Sequence, residues 1–187
     1  MKRIVFIIAA VALGLITVTA CGQKKEKKNM TENKTLVAYF SATGTTESLA
    51  KKIATATGGG LYKVPPEADY PAEDLDWTVE TSRCCKENAD PSSRPAFVKT
   101  KENLDAYDVV YLGFPNWWNG APRIINTFIE AYGLKGKTVI LFMTSGGSGI
   151  QNSLKVLGKQ YPEVNFKTGK LLNGASQKTV DEWVKSL

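Results

Sequence analysis

Short, continuous apolar runs alternate along most of the chain with amphipathic segments. The runs predict single buried strands, which we place at 35–40, 61–64, 108–114, 138–143 and 165–172. Apolar residues spaced three and four positions apart predict helices that begin after residue 46 and near residues 122, 150 and 176. A further helix at 73–88 is predicted from Leu75, Trp77 and Val79, in the least regular part of the sequence.

The alternation of predicted strands and helices determines the fold class that we expect. Strands that consist of uninterrupted apolar runs are typical of sheets buried on both faces. The chain is therefore predicted to be an α/β protein, with a doubly wound parallel sheet of five strands and helices on both faces. Ligands of such sheets bind beyond the carboxyl ends of the strands, where the strand order reverses.

Three loops that follow predicted strands share one chemistry. Each is rich in glycine, hydroxyl or amide groups, and none contains a charged residue. The first loop, at 41–46, also leads into a helix, whose free N–H groups and dipole favour a phosphate; an ordinary strand-to-helix turn is the alternative. The predicted ligand-binding residues are Ser41, Thr43, Gly44, Thr45 and Thr46 in the first loop, Pro115, Asn116, Trp117, Trp118, Asn119 and Gly120 in the second, and Thr144, Ser145, Gly146 and Gly147 in the third.

Two adjacent tryptophans, Trp117 and Trp118, distinguish the second loop. Tryptophans in a solvent-facing loop are costly unless they cover something flat, so we expect a planar aromatic ligand here. We also expect that one of the two packs beneath the loop as part of the core. The sequence does not indicate which one.

Together, the three loops resemble those of short-chain flavodoxins. The sequence S-x-T-G-T-T at 41–46 matches the phosphate loop of that family, G-F-P-N-W-W at 113–118 resembles an aromatic form of its second flavin loop, and 144–147 resembles its third. The resemblance covers nearly all of the chain from residue 35 onward. It implies FMN as the cofactor, with its phosphate on the first loop and its isoalloxazine ring against a tryptophan, and a flavodoxin-like strand order of 2-1-3-4-5.

The N-terminal segment predicts export and lipidation. Lys2 and Arg3 precede an apolar run at 4–16, and small residues then lead to Cys21, as in a bacterial lipoprotein signal. We therefore predict a signal peptide at 1–20, acylation of Cys21, a disordered tether at 21–33 and a folded domain at 34–187. Such a lipoprotein would lie on the extracytoplasmic side of the cell membrane or outer membrane. A simple signal peptide or a short membrane anchor is the alternative.

The positive charge of the chain is concentrated in this N-terminal segment. Residues 1–33 contain six basic and two acidic side chains, which leaves 18 basic and 16 acidic residues from Lys34 onward. A nearly neutral domain does not support nucleic-acid binding. A basic tether, in contrast, suits an anionic lipid surface.

Histidine is absent from the sequence. Its absence excludes Ser-His-Asp triads, Cys-His pairs and histidine metal ligands, so we predict no catalytic side chain and no metal site. We expect a cofactor to provide the chemistry instead. The neighbours Cys84 and Cys85 are interpreted as one packed and one partly exposed thiol, because a bridge between adjacent cysteines is strained.

Three functions are consistent with these observations. The first is FMN-dependent electron transfer by a membrane-tethered protein. The second is an FMN-dependent reductase that uses NAD(P)H to reduce a quinone or nitro compound, with 65–107 forming one wall of its substrate pocket. The third is a binding domain of the same fold without redox activity. The expected partners are a redox protein or a quinone-like small molecule, and the membrane through the lipid anchor.

Overall fold

The structure, a computed structural model, describes residues 34–187. The predicted signal peptide, the lipidation site Cys21 and the tether at 21–33 lie outside the described residues. Within 34–187, no helix combines the length and the apolar character needed to cross a bilayer.

Strands and helices alternate in this part of the chain, as the sequence predicts. The strands are β1 (Thr35–Tyr39), β2 (Gly60–Lys63), β3 (Val109–Pro115), β4 (Thr138–Thr144) and β5 (Asn165–Leu171). The α-helices are α1 (Thr45–Thr57), α2 (Arg83–Ala89), α3 (Arg123–Tyr132), α4 (Gln151–Gln160) and α5 (Gln177–Lys185), and a 3-10 helix spans Ala72–Leu75.

The five strands form one parallel sheet in the order β2-β1-β3-β4-β5. This order confirms the predicted doubly wound fold and its topology. The chain moves outward from β1 to β2 and then returns to the other side of β1, so the strand order reverses between β1 and β3. The register pairs Tyr39 with Gly113 and Pro115 with Thr144. The ends of β1, β3 and β4 therefore meet at one edge of the sheet.

Two helices cover each face of the sheet. Alternate residues of a strand point to opposite faces, so each central strand contributes to two cores. Helices α1 and α5 cover one face and bury side chains such as Ile53 and Trp183. Helices α3 and α4 cover the other face with side chains such as Phe128 and Leu157. Burial on both faces explains why the central strands consist of continuous apolar runs.

The predicted helix at 73–88 is wrong in its middle. The 3-10 helix and α2 are separate, and the residues between them include Trp77 and Val79, which are 73% and 44% exposed. The carboxylate of Asp76 accepts hydrogen bonds from the backbone N–H and the hydroxyl of Thr78, at 2.9 and 2.6 Å. Such local bonds compete with helical hydrogen bonding, so the apolar spacing does not produce a continuous helix here.

Helix α2 begins after Ser82, whose hydroxyl accepts a hydrogen bond from the backbone N–H of Cys85 at 3.4 Å. The two cysteines of this helix are free thiols, and Cys84 is buried whereas Cys85 is partly exposed. Burial raises the pKa of the Cys84 thiol above its ordinary value. The interpretation of one packed and one partly exposed thiol is confirmed.

Candidate functional site

The three predicted loops meet around a cleft of about 460 Å³ at the carboxyl edge of the sheet, which we call the three-loop cleft. This volume lies within the range of roughly 300–1,000 Å³ that is typical of small-molecule sites. Residues of all three loops contribute to the lining. The predicted residues that line it are Ser41, Thr43, Thr45, Thr46, Pro115, Asn116, Trp117, Thr144, Ser145 and Gly146.

Five predicted residues lie in the same loops but do not line the three-loop cleft. Gly44 shapes the start of α1, and the N–H of Gly147 donates to the hydroxyl of Ser145 at 3.1 Å. Asn119 and Gly120 complete the turn of the second loop. Trp118 lines a neighbouring cleft. Four of these residues therefore shape the loops, and Trp118 faces the neighbouring cleft.

The N-terminus of α1 supplies unpaired donors to the three-loop cleft. Gly44 has a left-handed backbone with φ +85°, and no side chain in the described part of the chain caps the first turn. The first N–H groups of a helix have no partner within the helix. Because Thr45 and Thr46 line the cleft, these N–H groups are placed to bind an anion there.

A buried hydrogen bond connects the first loop to the third. The hydroxyls of Thr46 and Thr144 lie 2.9 Å apart, and the two residues are 1% and 6% exposed. The bond therefore fixes the distance between the start of α1 and the end of β4.

Thr46→Val is expected to destabilise the domain by about 1–3 kcal/mol, because it leaves the buried hydroxyl of Thr144 without its partner. Replacing both residues with valine removes the unpaired group, so the double variant should recover much of this loss. Urea unfolding of the two single variants and the double variant is the measurement. Losses that simply add would show that the two hydroxyls do not interact.

Asn173 anchors the third loop, and the sequence analysis missed it. Its side-chain carbonyl accepts from the N–H of Ser145 at 2.8 Å, and its amide donates to the carbonyl of Ser145 at 2.5 Å. Asn173 and Gly174 also line the three-loop cleft. They follow β5 at the same edge of the sheet, so the Asn-Gly turn signal at this position could have indicated them.

Trp117 is the tryptophan that packs beneath the second loop. Its ring meets those of Phe40 and Tyr70 edge to face, with ring centroids 5.7 and 5.6 Å apart. The hydroxyl of Tyr70 donates to Glu87 at 2.7 Å, and burial together with this carboxylate raises the pKa of Tyr70 well above its usual range. Trp117 also lines the three-loop cleft, so it both packs and faces the site.

Asn116 provides a test of whether the site fits the predicted cofactor. Its backbone N–H donates to the carbonyl of Thr144 at 2.7 Å. Its side-chain oxygen is buried and has no hydrogen-bond partner among residues 34–187. A buried acceptor of this kind is costly unless a ligand supplies a donor. The ribityl hydroxyls and the ring N–H of FMN are such donors.

The charge of the three-loop cleft also fits FMN. Among the described residues that line it, none carries a charge. Neutral donors at α1 suit the phosphate end, whereas Leu75 and Trp117 offer apolar surface to a flavin ring. Residues 34–187 contain no group of three or more Cys, Asp or Glu side chains placed to hold a metal ion.

Solved structures of two Bacteroides proteins assigned as flavoproteins are similar to this chain. The protein from Bacteroides uniformis is 54% identical, with a TM-score of 0.80 and a match that covers 82% of this chain and 98% of that chain. The protein from Bacteroides eggerthii is 53% identical, with a TM-score of 0.78 and coverage of 81% and 96%.

A flavoprotein from Lactobacillus acidophilus, solved in complex with FMN, shares the fold. It is 21% identical, with a TM-score of 0.64 and a match that covers 81% of this chain and 99% of that chain. No curated protein matches this chain. The family model for Flavodoxin matches residues 34–187, the whole of the described domain. The chain therefore belongs to the flavodoxin family, whose cofactor is FMN.

Proposed function

We propose that the domain binds FMN in the three-loop cleft and carries electrons as a membrane-tethered redox protein. The observation that carries this proposal is the convergence of three uncharged, donor-rich loops on one cleft that contains a buried, unpartnered acceptor on Asn116. When bound, FMN supplies reversible transfer of one or two electrons. The protein contributes binding and orientation.

Each loop has a distinct role in this proposal. The N–H groups and hydroxyls of 41–46 would hold the phosphate, and the side-chain oxygen of Asn116 would accept a hydrogen bond from the cofactor. Trp117, held by its packing against Phe40 and Tyr70, would cover the flavin ring and exclude water from one side.

A reductase that uses NAD(P)H is the second candidate, and a second cleft favours it. This cleft of about 270 Å³ adjoins the three-loop cleft and shares Leu75, Asn116 and Trp117 with it. An electron carrier needs no substrate pocket beside its cofactor, whereas a reductase does. The predicted involvement of 65–107 fits this candidate, because Leu75, Trp77 and Cys84 line the second cleft.

Anaerobic mixing of the FMN-loaded protein with NADH or NADPH, followed by a quinone, separates the candidates. An electron carrier should be reduced by dithionite but not by either nicotinamide. A reductase should be reduced by one of the nicotinamides and reoxidised by the quinone. A domain that binds FMN but cannot be reduced and reoxidised would contradict both and leave the non-redox binding domain.

The membrane tether is tested separately, at Cys21. Lipidation requires the thiol of this residue, so Cys21→Ser should move the protein from the membrane fraction to the soluble fraction. Cys85→Ser is the matched control and should leave the protein in the membrane fraction. If Cys21→Ser also stays there, the tether is not a lipid on this cysteine. Fractionation and immunoblotting of the expressing bacterium provide the measurement.

A further inference from the structure

The second cleft contains two tryptophans that the proposed FMN site does not use. It is lined by Leu75, Trp77, Cys84, Asn116, Trp117 and Trp118, and we call it the tryptophan cleft. Trp77 and Trp118 do not line the three-loop cleft. The two clefts share a wall, so a molecule in the tryptophan cleft would lie beside the cofactor.

The two unused tryptophans are exposed. Trp77 is 73% exposed and Trp118 is 44% exposed, although both line this small cleft. Leaving so much aromatic surface in water is unfavourable, and clustered exposed apolar residues are typical of binding sites. A flat aromatic ligand would cover both side chains.

The backbone of the second loop holds Trp118 in this exposed position. Trp118 and Asn119 have φ values of +46° and +59°, and Trp117 and Gly120 exchange backbone hydrogen bonds of 3.0 and 2.9 Å around them. This is the geometry of a turn that normally contains Asn-Gly, and a bulky residue there is strained. The amide of Asn152 donates to the carbonyl of Asn119 at 2.7 Å and supports the turn.

Charge limits the ligands that the tryptophan cleft accepts. Among the described residues that line it, none is a carboxylate, lysine or arginine, so a charged ligand would find no partner in the wall. Glu73, Asp74 and Asp76 lie within two residues of Leu75 in the chain. Hydrogen bonds from Thr78 lower the pKa of Asp76, so this carboxylate stays negative at neutral pH. An anionic ligand would gain no partner from this lining, so a neutral ligand fits the tryptophan cleft best.

The size of the cleft points to a small ring system. Its volume of about 270 Å³ is slightly below the usual range for drug-sized ligands, which starts at roughly 300 Å³. We propose that the tryptophan cleft binds a neutral, planar, bicyclic molecule of the quinone class, stacked against Trp77 and Trp118. This inference rests on the proposed FMN site, because the shared wall of Leu75, Asn116 and Trp117 places the quinone beside the flavin.

Calorimetric titration of the oxidised, FMN-loaded protein with 2,3-dimethyl-1,4-naphthoquinone tests the proposal without turnover. The methyl groups of this probe block addition of the Cys84 thiol to the ring. Trp77→Ala should weaken quinone binding about five- to tenfold, because it removes one stacking face. Trp77→Phe keeps an aromatic face and should retain most of the affinity. Val98→Ala, a change at a half-exposed apolar residue outside the cleft, should have no effect.

FMN affinity is measured in parallel, and it separates failure of this proposal from failure of the FMN site. We expect Trp77→Ala to bind FMN as tightly as the original protein. Unchanged quinone affinity in Trp77→Ala, or no quinone binding at all, would overturn the proposal. Equal weakening of FMN and quinone in Trp77→Ala would also overturn it, since the flavin ring itself would then occupy the tryptophan cleft. A protein that binds no FMN would instead refute the proposed function.

Discussion

Gly113→Ala is expected to destabilise the domain by about 3 kcal/mol, since it overpacks a rigid core. Gly113 lies in β3, and its register partner in β4 is Phe142. A Cβ atom at Gly113 would collide with the ring of Phe142, which is fully buried. Because protein interiors are closely packed, the ring can move away only by displacing its neighbours. This part of the sheet leads directly into the second loop of the cofactor site.

Chemical denaturation of Gly113→Ala measures this loss, and Gly158→Ala is the matched control. Gly158 lies in α4, where an added Cβ meets no atom within 4 Å. Alanine favours the helix there, so the control should gain about 0.5–1 kcal/mol. Combining Gly113→Ala with Phe142→Ala should cost less than the sum of the two single changes. Similar stabilities for the Gly113 and Gly158 variants would show that Phe142 does not pack on Gly113.

FMN is expected to bind the domain at least about 100-fold more tightly than riboflavin, which lacks the phosphate. Each hydrogen bond to a charged group contributes about 1.5–3 kcal/mol, so two at the N-terminus of α1 account for at least about 3 kcal/mol. Calorimetry on the 34–187 fragment is the measurement. The solved Bacteroides uniformis protein consists almost wholly of the matched part, with 98% of its chain covered, so we expect this fragment to fold alone.

Variants of two threonines on α1 test whether the first loop causes the tighter binding of FMN than of riboflavin. Thr45 lines the three-loop cleft, whereas Thr55 is exposed and its hydroxyl donates to the carbonyl of Lys51 within the helix. Thr45→Ala should weaken FMN binding about tenfold and leave riboflavin binding unchanged, because only FMN carries the phosphate. Thr55→Ala should change neither. Equal affinities of the original protein for the two flavins would contradict a phosphate site at 41–46.

The central fold and the three loops could be predicted because their signals are local. Strands β3 and β4 are buried on both faces, so they form uninterrupted apolar runs that end in turn residues. The loops after them contain glycine, hydroxyl and amide residues that indicate their chemistry without knowledge of the rest of the chain. Topology then brings these loops to the same edge of the sheet.

The rest of the site depends on contacts that no local pattern records. Leu75 lines the three-loop cleft from a 3-10 helix, and the local bonds between Asp76 and Thr78 follow it where a continuous helix is predicted. Trp117 and Trp118 differ in position because the ring of Trp117 contacts those of Phe40 and Tyr70, which are distant in sequence. Apolar spacing alone could therefore not predict that Leu75 lines the three-loop cleft. It also could not predict which of the two tryptophans is exposed.

Backbone amide NMR during titration of the 34–187 fragment tests FMN binding in the three-loop cleft most directly. We predict that FMN shifts the amide signals of Thr45 and Thr46 most strongly, together with those of Asn116 and Ser145. Riboflavin should shift Asn116 and Ser145 but leave Thr45 and Thr46 nearly unchanged, since it has no phosphate to place at the start of α1. Binding of FMN that leaves the signals of 41–46 unchanged would contradict the assignment of this cleft as the cofactor site.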